Sequence, residues 1–277
     1  MSTLNNINDR VELNNGTRMP WLGLGVFQMS DDEARQACLH ALDAGYRSLD
    51  TAAVYKNETG VGQALRETSI AREELFVTTK LWNDDQRSRR ASSAFQESLD
   101  RLGTDYVDLY LVHWPVREHI TETWKAMEEI YASGRAKAIG VSNFLPHHLE
   151  ELLAVAEVVP TVNQVEFHPH LVQPDLLGFC KEHKIVVEAW SPLMQGQVAS
   201  DKTFAALGEK YGKTPAQIVL RWDLQHGVVT IPKSVRASRI QENAGIFDFE
   251  LSEADMSVLD ALDQNKRLGP DPDTFGF

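Results

Sequence analysis

The chain alternates between short apolar runs and longer stretches in which apolar residues recur every three or four positions. The short runs are four to six residues long and bounded by polar residues or turn formers. Such runs are typical of strands that are buried on both faces of a parallel sheet. They predict eight strands, at residues 22–25, 46–49, 76–79, 107–112, 138–141, 162–167, 185–189 and 228–231.

The stretches between these runs predict amphipathic helices, because their apolar residues fall on one helical face. Helices are predicted at residues 31–44, 89–102, 120–133, 145–156, 174–183 and 215–225. Strands that alternate with helices indicate a parallel sheet, and eight strands are enough to close a barrel.

Further segments near the two ends add to this repeat. Asn14-Asn15-Gly16 separates two strand-like pieces, which predicts a β-hairpin that plugs one end of the barrel. Residues 202–211 predict an extra helix in the last crossover, and residues 253–262 predict a closing helix. The predicted fold is α/β: one (β/α)8 TIM barrel domain over residues 1–277, with an N-terminal β-hairpin cap and extra helices in the C-terminal third.

Composition and charge narrow the function classes. The chain has 277 residues, 43% of them hydrophobic, and a formal net charge of −13. An acidic surface repels nucleic acid and anionic membranes, so neither is the expected partner. No apolar run has the length of a membrane span or signal peptide, and Cys38 and Cys180 lie inside helical patterns. We expect a cytoplasmic, monomeric enzyme with reduced thiols that acts on a small molecule.

Several weak motifs are set aside. Gly23-Leu24-Gly25 and Gly60-Val61-Gly62 each begin like a dinucleotide fingerprint but lack its third glycine. Gly212-Lys213-Thr214 resembles a P-loop without the leading glycine that a P-loop needs. His168-Pro169-His170 lacks a third metal ligand at suitable spacing, and we expect this pair to be solvated and no metal to be bound.

Four chemically different side chains follow the first strands of the predicted barrel. Asp50, Lys80 and His113 each come after an apolar run, and Tyr55 lies in the loop after Asp50. Carboxyl ends of barrel strands meet at one rim, so these side chains are expected to converge. Each alone has a structural explanation: a turn cap, a packed ring, a solvated amine or a core imidazole. Together they can donate a proton to a carbonyl oxygen, with the ammonium lowering the pKa of the phenol and the carboxylate holding the ammonium.

The later strands end in residues suited to a carboxamide and an aromatic ring. Ser142 and Asn143 end the fifth predicted strand, Gln164 lies near the end of the sixth, and Trp190 follows the seventh. Amide side chains can pair with a carboxamide and hold it in one orientation. Trp190 can provide a stacking surface, although a core role explains it equally well.

A basic cluster follows the eighth predicted strand. Lys233, Ser234, Arg236 and Arg239 lie where a helix is expected to begin. In so acidic a chain, this local reversal of charge favours a phosphate site, since helix N-termini also attract anions. The alternative is a solvated helix start.

Three separated segments resemble the aldo-keto reductase family over nearly the full chain. They are Gly45-Tyr46-Arg47-Ser48-Leu49-Asp50-Thr51-Ala52-Ala53-Val54-Tyr55, Lys137-Ala138-Ile139-Gly140-Val141-Ser142-Asn143-Phe144, and Ile231-Pro232-Lys233-Ser234 with Arg239, Glu242 and Asn243. The resemblance implies a barrel that binds NADPH without a Rossmann domain and reduces carbonyls. It also implies a tetrad in which Tyr55 donates the proton, Lys80 and Asp50 tune it, and His113 orients the carbonyl.

The resemblance further implies how NADPH is held. Ser142, Asn143 and Gln164 would bind the carboxamide, and Trp190 would stack on the nicotinamide. The remaining implied contacts are Ser191 and Leu193 along the pyrophosphate, Lys233, Ser234 and Arg239 at the 2′-phosphate, and Glu242 and Asn243 at the adenine.

Within the family, the chain is most similar to the microbial 2,5-diketo-D-gluconate and glyoxal or methylglyoxal reductase group. The carrying segments include Lys80-Leu81-Trp82-Asn83 and Ala189-Trp190-Ser191-Pro192-Leu193. Phe27 stands where animal aldose reductases have a tryptophan, which implies a more open pocket. Expected wall residues are Trp21, Phe27, Trp82 and Trp114, and expected substrates are small dicarbonyls such as methylglyoxal, or keto-sugars such as 2,5-diketo-gluconate.

Two other functions stay open. Lys80 could serve as the Schiff-base nucleophile of a barrel aldolase, which would need no nicotinamide. The same fold also serves as a non-metabolic subunit that senses NADPH, in which case the chain would bind the cofactor without turnover.

Overall fold

Eight parallel strands form a sheet in which neighbours in the chain are neighbours in space. The computed structural model describes residues 4–275. Two antiparallel strands, β1 (Arg10–Glu12) and β2 (Arg18–Pro20), precede the sheet. The parallel strands are β3 (Leu24–Gly25), β4 (Ser48–Asp50), β5 (Phe76–Leu81), β6 (Leu109–Val112), β7 (Ile139–Ser142), β8 (Val162–Glu166), β9 (Val186–Trp190) and β10 (Val229–Thr230).

The first and last parallel strands are also joined, so the sheet closes. The Gly23 amide donates to the Thr230 carbonyl at 3.0 Å, and the Thr230 amide donates to the Trp21 carbonyl at 3.1 Å. Gly25 also bridges to Lys233 just beyond β10. The predicted (β/α)8 barrel is therefore confirmed, although most strand ends shift by one or two residues.

Helices surround the sheet and bury their apolar faces against it. They are α1 (Asp31–Asp43), α2 (Glu58–Glu67), α3 (Asn83–Arg87), α4 (Ala91–Leu102), α5 (Ile120–Ala132), α6 (Pro146–Leu153), α7 (Pro174–Glu182), α8 (Lys202–Tyr211), α9 (Pro215–Gln225), α10 (Ala237–Ala244) and α11 (Glu253–Asp260). The extra helix α8 and the closing helix α11 occur where the sequence predicts them. No helix within residues 4–275 is both long and apolar enough to cross a membrane.

The hairpin of β1 and β2 covers the amino-terminal end of the barrel. Leu13 and Met19 are buried there against Phe76, Leu109 and other residues that fill the barrel interior. The predicted plug is confirmed, and with this end closed the opposite rim is left for a ligand.

Two predictions about the helices need correction. The predicted helix at residues 89–102 begins only at Ala91, because Arg89 adopts a left-handed backbone conformation with φ 56°. Helix α2 has no counterpart in the sequence-based prediction, since Gly60 and Gly62 lower helix propensity there. Cys38 and Cys180 are free and buried in α1 and α7, as expected.

The glycines of α2 are required by close packing against its neighbours. A Cβ atom on Gly60 would lie 2.1 Å from the Asp31 carbonyl oxygen, and one on Gly62 would lie 2.3 Å from the Leu102 carbonyl oxygen. Helix α2 therefore touches α1 and α4 backbone to backbone. Glu58, the first residue of α2, adds a buried carboxylate that receives hydrogen bonds from Thr79 and Arg101.

This packing predicts opposite effects for two glycine substitutions in helices. Gly60→Ala should destabilise the protein by roughly 3 kcal/mol or more, because backbone atoms must move to admit the methyl group. Gly178→Ala in α7 meets nothing within 4 Å and should stabilise by about 0.5–1 kcal/mol. Urea unfolding of both variants measures the difference, and equal stabilities would contradict the packing argument.

Candidate active site

A buried ion pair lies at the carboxyl ends of β4 and β5. Lys80 Nζ is 2.6 Å from Asp50 Oδ1 and also donates to the Thr51 carbonyl at 2.9 Å. The lysine side chain is fully buried and that of Asp50 is 3% exposed. Burial lowers the pKa of Lys80, but Asp50 and Tyr55 raise it more, so the net pKa is above 10.5. The site therefore holds a fixed positive charge at neutral pH.

Tyr55 lies beside this charge. It ends a short 3-10 helix (Ala53–Tyr55) after β4, and its ring centroid is 5.1 Å from Lys80 Nζ. Burial raises the pKa of Tyr55 more than Lys80 lowers it, and the net pKa is above 10. Lys80 lowers the pKa of Tyr55, as expected. The expectation of a lowered net pKa is nevertheless wrong, because burial raises it more. Tyr55 is a protonated phenol at neutral pH.

His113 completes the group on the next strand. Its ring lies edge-on to Tyr55, with centroids 5.6 Å apart, and edge-on to Trp82 at 5.2 Å. Burial and the charge of Lys80 lower the pKa of His113 well below 6.5, so the imidazole is neutral. Its Nδ1 atom is buried and has no hydrogen-bond partner in the described part of the chain. The structure brings all four of these predicted residues together at one rim.

Asn143 ties the fourth, fifth and seventh barrel strands together at this rim. Its Nδ2 donates to the His113 carbonyl at 3.0 Å and to Ser142 Oγ at 3.1 Å, and its Oδ1 accepts from Trp190 Nε1 at 2.8 Å. The backbone of Asn143 has φ 64°, which asparagine tolerates better than most residues. Asn143, Ser142 and Trp190 are therefore held in place beside His113.

Gln164 lies next to Ser142 and contacts two carboxyl groups. Its Nε2 donates to Asp50 Oδ2 at 2.8 Å and to Glu188 Oε2 at 2.7 Å. Burial, together with the nearby Asp50, raises the pKa of Glu188 to about 8. Glu188 was missed by the sequence-based reasoning. The available signal was a lone acid within the apolar strand Val186–Trp190.

The predicted phosphate site lies at the start of α10. Lys233, Arg236 and Arg239 are exposed, and none of them forms a salt bridge to another residue in the range 4–275. Ser234 is nearly buried, and its Oγ accepts from the Arg236 amide at 3.1 Å. Exposed cations without a salt-bridge partner in this range fit a phosphate group that carries two negative charges.

The other residues expected to contact a dinucleotide surround this helix and the end of β9. Ser191 and Leu193 are partly exposed just after Trp190. Asn243 is buried in α10, and Glu242 Oε1 accepts from Thr214 Oγ1 at 2.8 Å. Ser191 and Leu193 thus follow β9, and Glu242 and Asn243 belong to α10.

Aromatic residues surround the rim near Tyr55. Phe27 is 53% exposed, and its ring centroid is 4.9 Å from that of Tyr55. Trp82 packs against His113, and Trp114 packs against Phe275 with centroids 4.3 Å apart. Three of the four predicted wall residues therefore lie beside the tetrad.

Trp21 is not at this rim, and its prediction as a pocket wall is wrong. It precedes Gly25 by four residues along the first barrel strand, which corresponds to about 13 Å. Its amide donates to the Asp9 carbonyl, and its side chain packs against the buried cluster that contains Leu13 and Met19 of the hairpin. Trp21 directly precedes the first predicted strand, which is consistent with its place at the amino-terminal end of the barrel.

The C-terminal tail, residues 263–275, also reaches the rim, which the sequence did not predict. Glu166 is buried at the end of β8, and its carboxylate accepts from the amides of Leu268 at 2.7 Å and Gly269 at 3.2 Å. A Cβ atom on Gly269 would lie 2.3 Å from the Trp190 ring. His168 Nε2 lies 3.0 Å from Glu166, so His168 is buried rather than solvated as expected.

Comparisons with known proteins identify the family of the chain. The model of the Aldo/keto reductase family matches residues 21–264. The chain is 55% identical over 272 residues to glyoxal reductase of Bacillus subtilis, covering 98% of this chain and 99% of that protein. It is 52% identical over 270 residues to methylglyoxal reductase DkgA of Escherichia coli, covering 96% and 98%. An aldo-keto reductase of Bombyx mori solved in complex with NADP has a TM-score of 0.89 at 38% identity, covering 95% of each chain. The chain belongs to the aldo-keto reductase family.

Proposed function

We propose that this protein is an NADPH-dependent reductase of aldehydes and ketones, with small dicarbonyls such as methylglyoxal as substrates. The observation that carries this proposal is the buried Lys80–Asp50 pair beside the rings of Tyr55 and His113. Family membership and the similarity to enzymes named as glyoxal and methylglyoxal reductases support it. Keto-sugars such as 2,5-diketo-gluconate are the second substrate class to test.

Tyr55 is the proposed proton donor to the carbonyl oxygen. When bound, NADPH supplies the hydride that reaches the carbonyl carbon. As negative charge develops on the oxygen, the Tyr55 hydroxyl transfers its proton there, and the resulting phenolate faces the ammonium of Lys80. Asp50 keeps that ammonium charged and in position at 2.6 Å.

His113 is the proposed orienting group. Because its imidazole is neutral, one ring nitrogen can donate a hydrogen bond to the substrate oxygen without adding a second positive charge beside Lys80. Asn143 holds the His113 backbone, and Trp82 packs against the ring. The oxygen can then be held between the imidazole and the Tyr55 hydroxyl.

The late strands are proposed to hold the cofactor. Ser142, Asn143 and Gln164 would bind the carboxamide, and Trp190 would support the nicotinamide ring. Lys233, Ser234 and Arg239 would bind the 2′-phosphate; Ser191 and Leu193 would lie along the pyrophosphate, and Glu242 and Asn243 near the adenine. This division leaves Phe27, Trp82 and Trp114 as apolar walls for the substrate, which suits small carbonyl compounds with few polar contacts.

The Schiff-base alternative is disfavoured by the state of Lys80. A nucleophilic lysine must be an unprotonated amine, but here the nitrogen donates to Asp50 and to the Thr51 carbonyl, and its pKa is raised. An NADPH-sensing role would leave the tetrad without a reaction to catalyse. Turnover measurements distinguish that role from the proposed one.

Tyr55→Phe should lower kcat for methylglyoxal by about 10²–10⁴-fold, because the ring packing stays and only the acid is removed. The rate is measured as NADPH oxidation. Tyr106→Phe, whose ring stacks with Arg72 away from the rim, is the matched control and should keep full activity. An undiminished rate in Tyr55→Phe would contradict the proton-donor role.

Lys233→Ala and Arg239→Ala should each weaken NADPH binding by roughly ten- to a hundredfold, the loss of one charge-assisted hydrogen bond. NADH binding should change little because NADH lacks the 2′-phosphate. Dissociation constants for both cofactors measure this, with Lys202→Ala at the exposed start of α8 as the control. Equal losses for NADPH and NADH would place the phosphate elsewhere.

A further inference from the structure

A second carboxylic acid, Glu188, lies across the barrel from the Lys80–Asp50 pair and is linked to Asp50 through Gln164. Glu188 in β9 is directly opposite Gln164 in the strand register, and Gln164 is directly opposite Ser142. The side chain of Glu188 is fully buried. Its Oε2 accepts from Gln164 Nε2 at 2.7 Å. None of the steps proposed above uses this acid.

The amide of Gln164 is oriented by two carboxyl groups at once. A side-chain NH2 has two hydrogens, and here one donates to Asp50 Oδ2 at 2.8 Å and the other to Glu188 Oε2 at 2.7 Å. A flipped amide would place its carbonyl oxygen against two acceptor oxygens, which is unfavourable. The orientation of Gln164 is therefore fixed by its surroundings.

The fixed orientation determines what Gln164 can offer to a ligand. Its Oε1 accepts no hydrogen bond from any residue in the range 4–275, so this oxygen is left to accept from a ligand. Because both Nε2 hydrogens are occupied, Gln164 can only accept there. It can bind an N–H donor and cannot donate to a carbonyl or carboxylate oxygen.

We propose that Glu188 is a positioning residue that holds Gln164 as an obligate acceptor and thereby makes the site select the carboxamide NH2 of the cofactor. The inference rests on the proposed function, in which Gln164 contacts that carboxamide. A cofactor whose ring carries an acetyl group instead of a carboxamide has no N–H to donate. The unmodified site should therefore bind it more weakly than NADPH.

Glu188 can serve this role because it stays uncharged at neutral pH. Burial and Asp50 raise its pKa to about 8. The neutral acid still has a carbonyl oxygen that accepts from Gln164. With Glu188 neutral, the positive charge of Lys80 is balanced by the single negative charge of Asp50.

The test compares Glu188→Leu, which removes the acceptor, with Glu188→Gln, which keeps an acceptor oxygen of similar shape. Dissociation constants are measured for NADPH, for its 3-acetylpyridine analogue and for adenosine 2′,5′-bisphosphate. The last carries the 2′-phosphate but no nicotinamide. We expect the wild-type protein to prefer NADPH over the acetyl analogue by roughly five- to tenfold, the worth of one hydrogen bond.

In Glu188→Leu one amide hydrogen of Gln164 loses its acceptor, and a turned amide, which would donate to the acetyl oxygen, faces one acceptor oxygen instead of two. The dissociation constant of the acetyl analogue divided by that of NADPH should fall toward one. The affinity for adenosine 2′,5′-bisphosphate should stay unchanged. Glu188→Gln should keep the wild-type preference at neutral pH. Loss of affinity for all three ligands in Glu188→Leu would indicate a merely structural role and overturn the inference.

The inference and the proposed function fail in different ways. If wild-type protein binds neither NADPH nor the bisphosphate, the proposed function is wrong. If NADPH binds and is oxidised but Glu188→Leu keeps the full preference over the acetyl analogue, only the role of Glu188 is wrong. Glu182→Leu on the exposed face of α7 is the control for a Glu-to-Leu change away from the site.

Discussion

The buried Lys80–Asp50 pair is the interaction on which the rest of the site depends. Two full charges are removed from water here, and losing either partner would leave the other uncompensated at a cost of about 3–5 kcal/mol. This pair sets the hydrogen bonding and the protonation of the groups around it. Gln164 takes the second oxygen of Asp50, and the Lys80 charge opposes protonation of His113 and favours ionisation of Tyr55. Barrel closure fixes the geometry, because β4 and β5 are hydrogen-bonded neighbours whose ends share one rim.

Much of this arrangement could be predicted from the sequence, for a definite physical reason. Parallel strands buried on both faces produce short, continuous apolar runs, and their order in the chain is their order around a barrel. A polar residue at the end of such a run is therefore placed at a known edge. Asp50, Lys80 and His113 could be located in this way, and Tyr55 could be placed in the adjoining loop. The amide and basic residues on the later strands follow the same rule.

Most features that the sequence did not predict depend on contacts between residues far apart in the chain. A local sequence pattern does not reveal such contacts. Helix α2 escaped prediction because the glycines that break its propensity are the ones its close packing needs, and that packing involves Asp31 and Leu102, both distant in the chain. Trp21, by contrast, was expected as a wall residue from the family comparison, although it precedes the first predicted strand and so lies at the amino-terminal end. Glu188 was missed because a single acid inside an apolar run does not reveal its partners. The structure shows that Gln164 joins it to Asp50.

The rim is built from parts that are held in different ways. Asp50, Lys80 and His113 lie on or directly after β4, β5 and β6, which are hydrogen-bonded neighbours, and Tyr55 lies in the 3-10 helix that follows β4. The C-terminal tail is held near Trp190 and Trp114 by Glu166 and by the ring of Phe275. Backbone contacts also hold the tail, because the amides of Gln264 and Lys266 donate to the His170 carbonyl at 3.2 and 3.0 Å. The groups proposed to transfer the proton are therefore positioned by the barrel strands and the loops that follow them, whereas the rim beside Trp190 is completed by a segment from the far end of the chain.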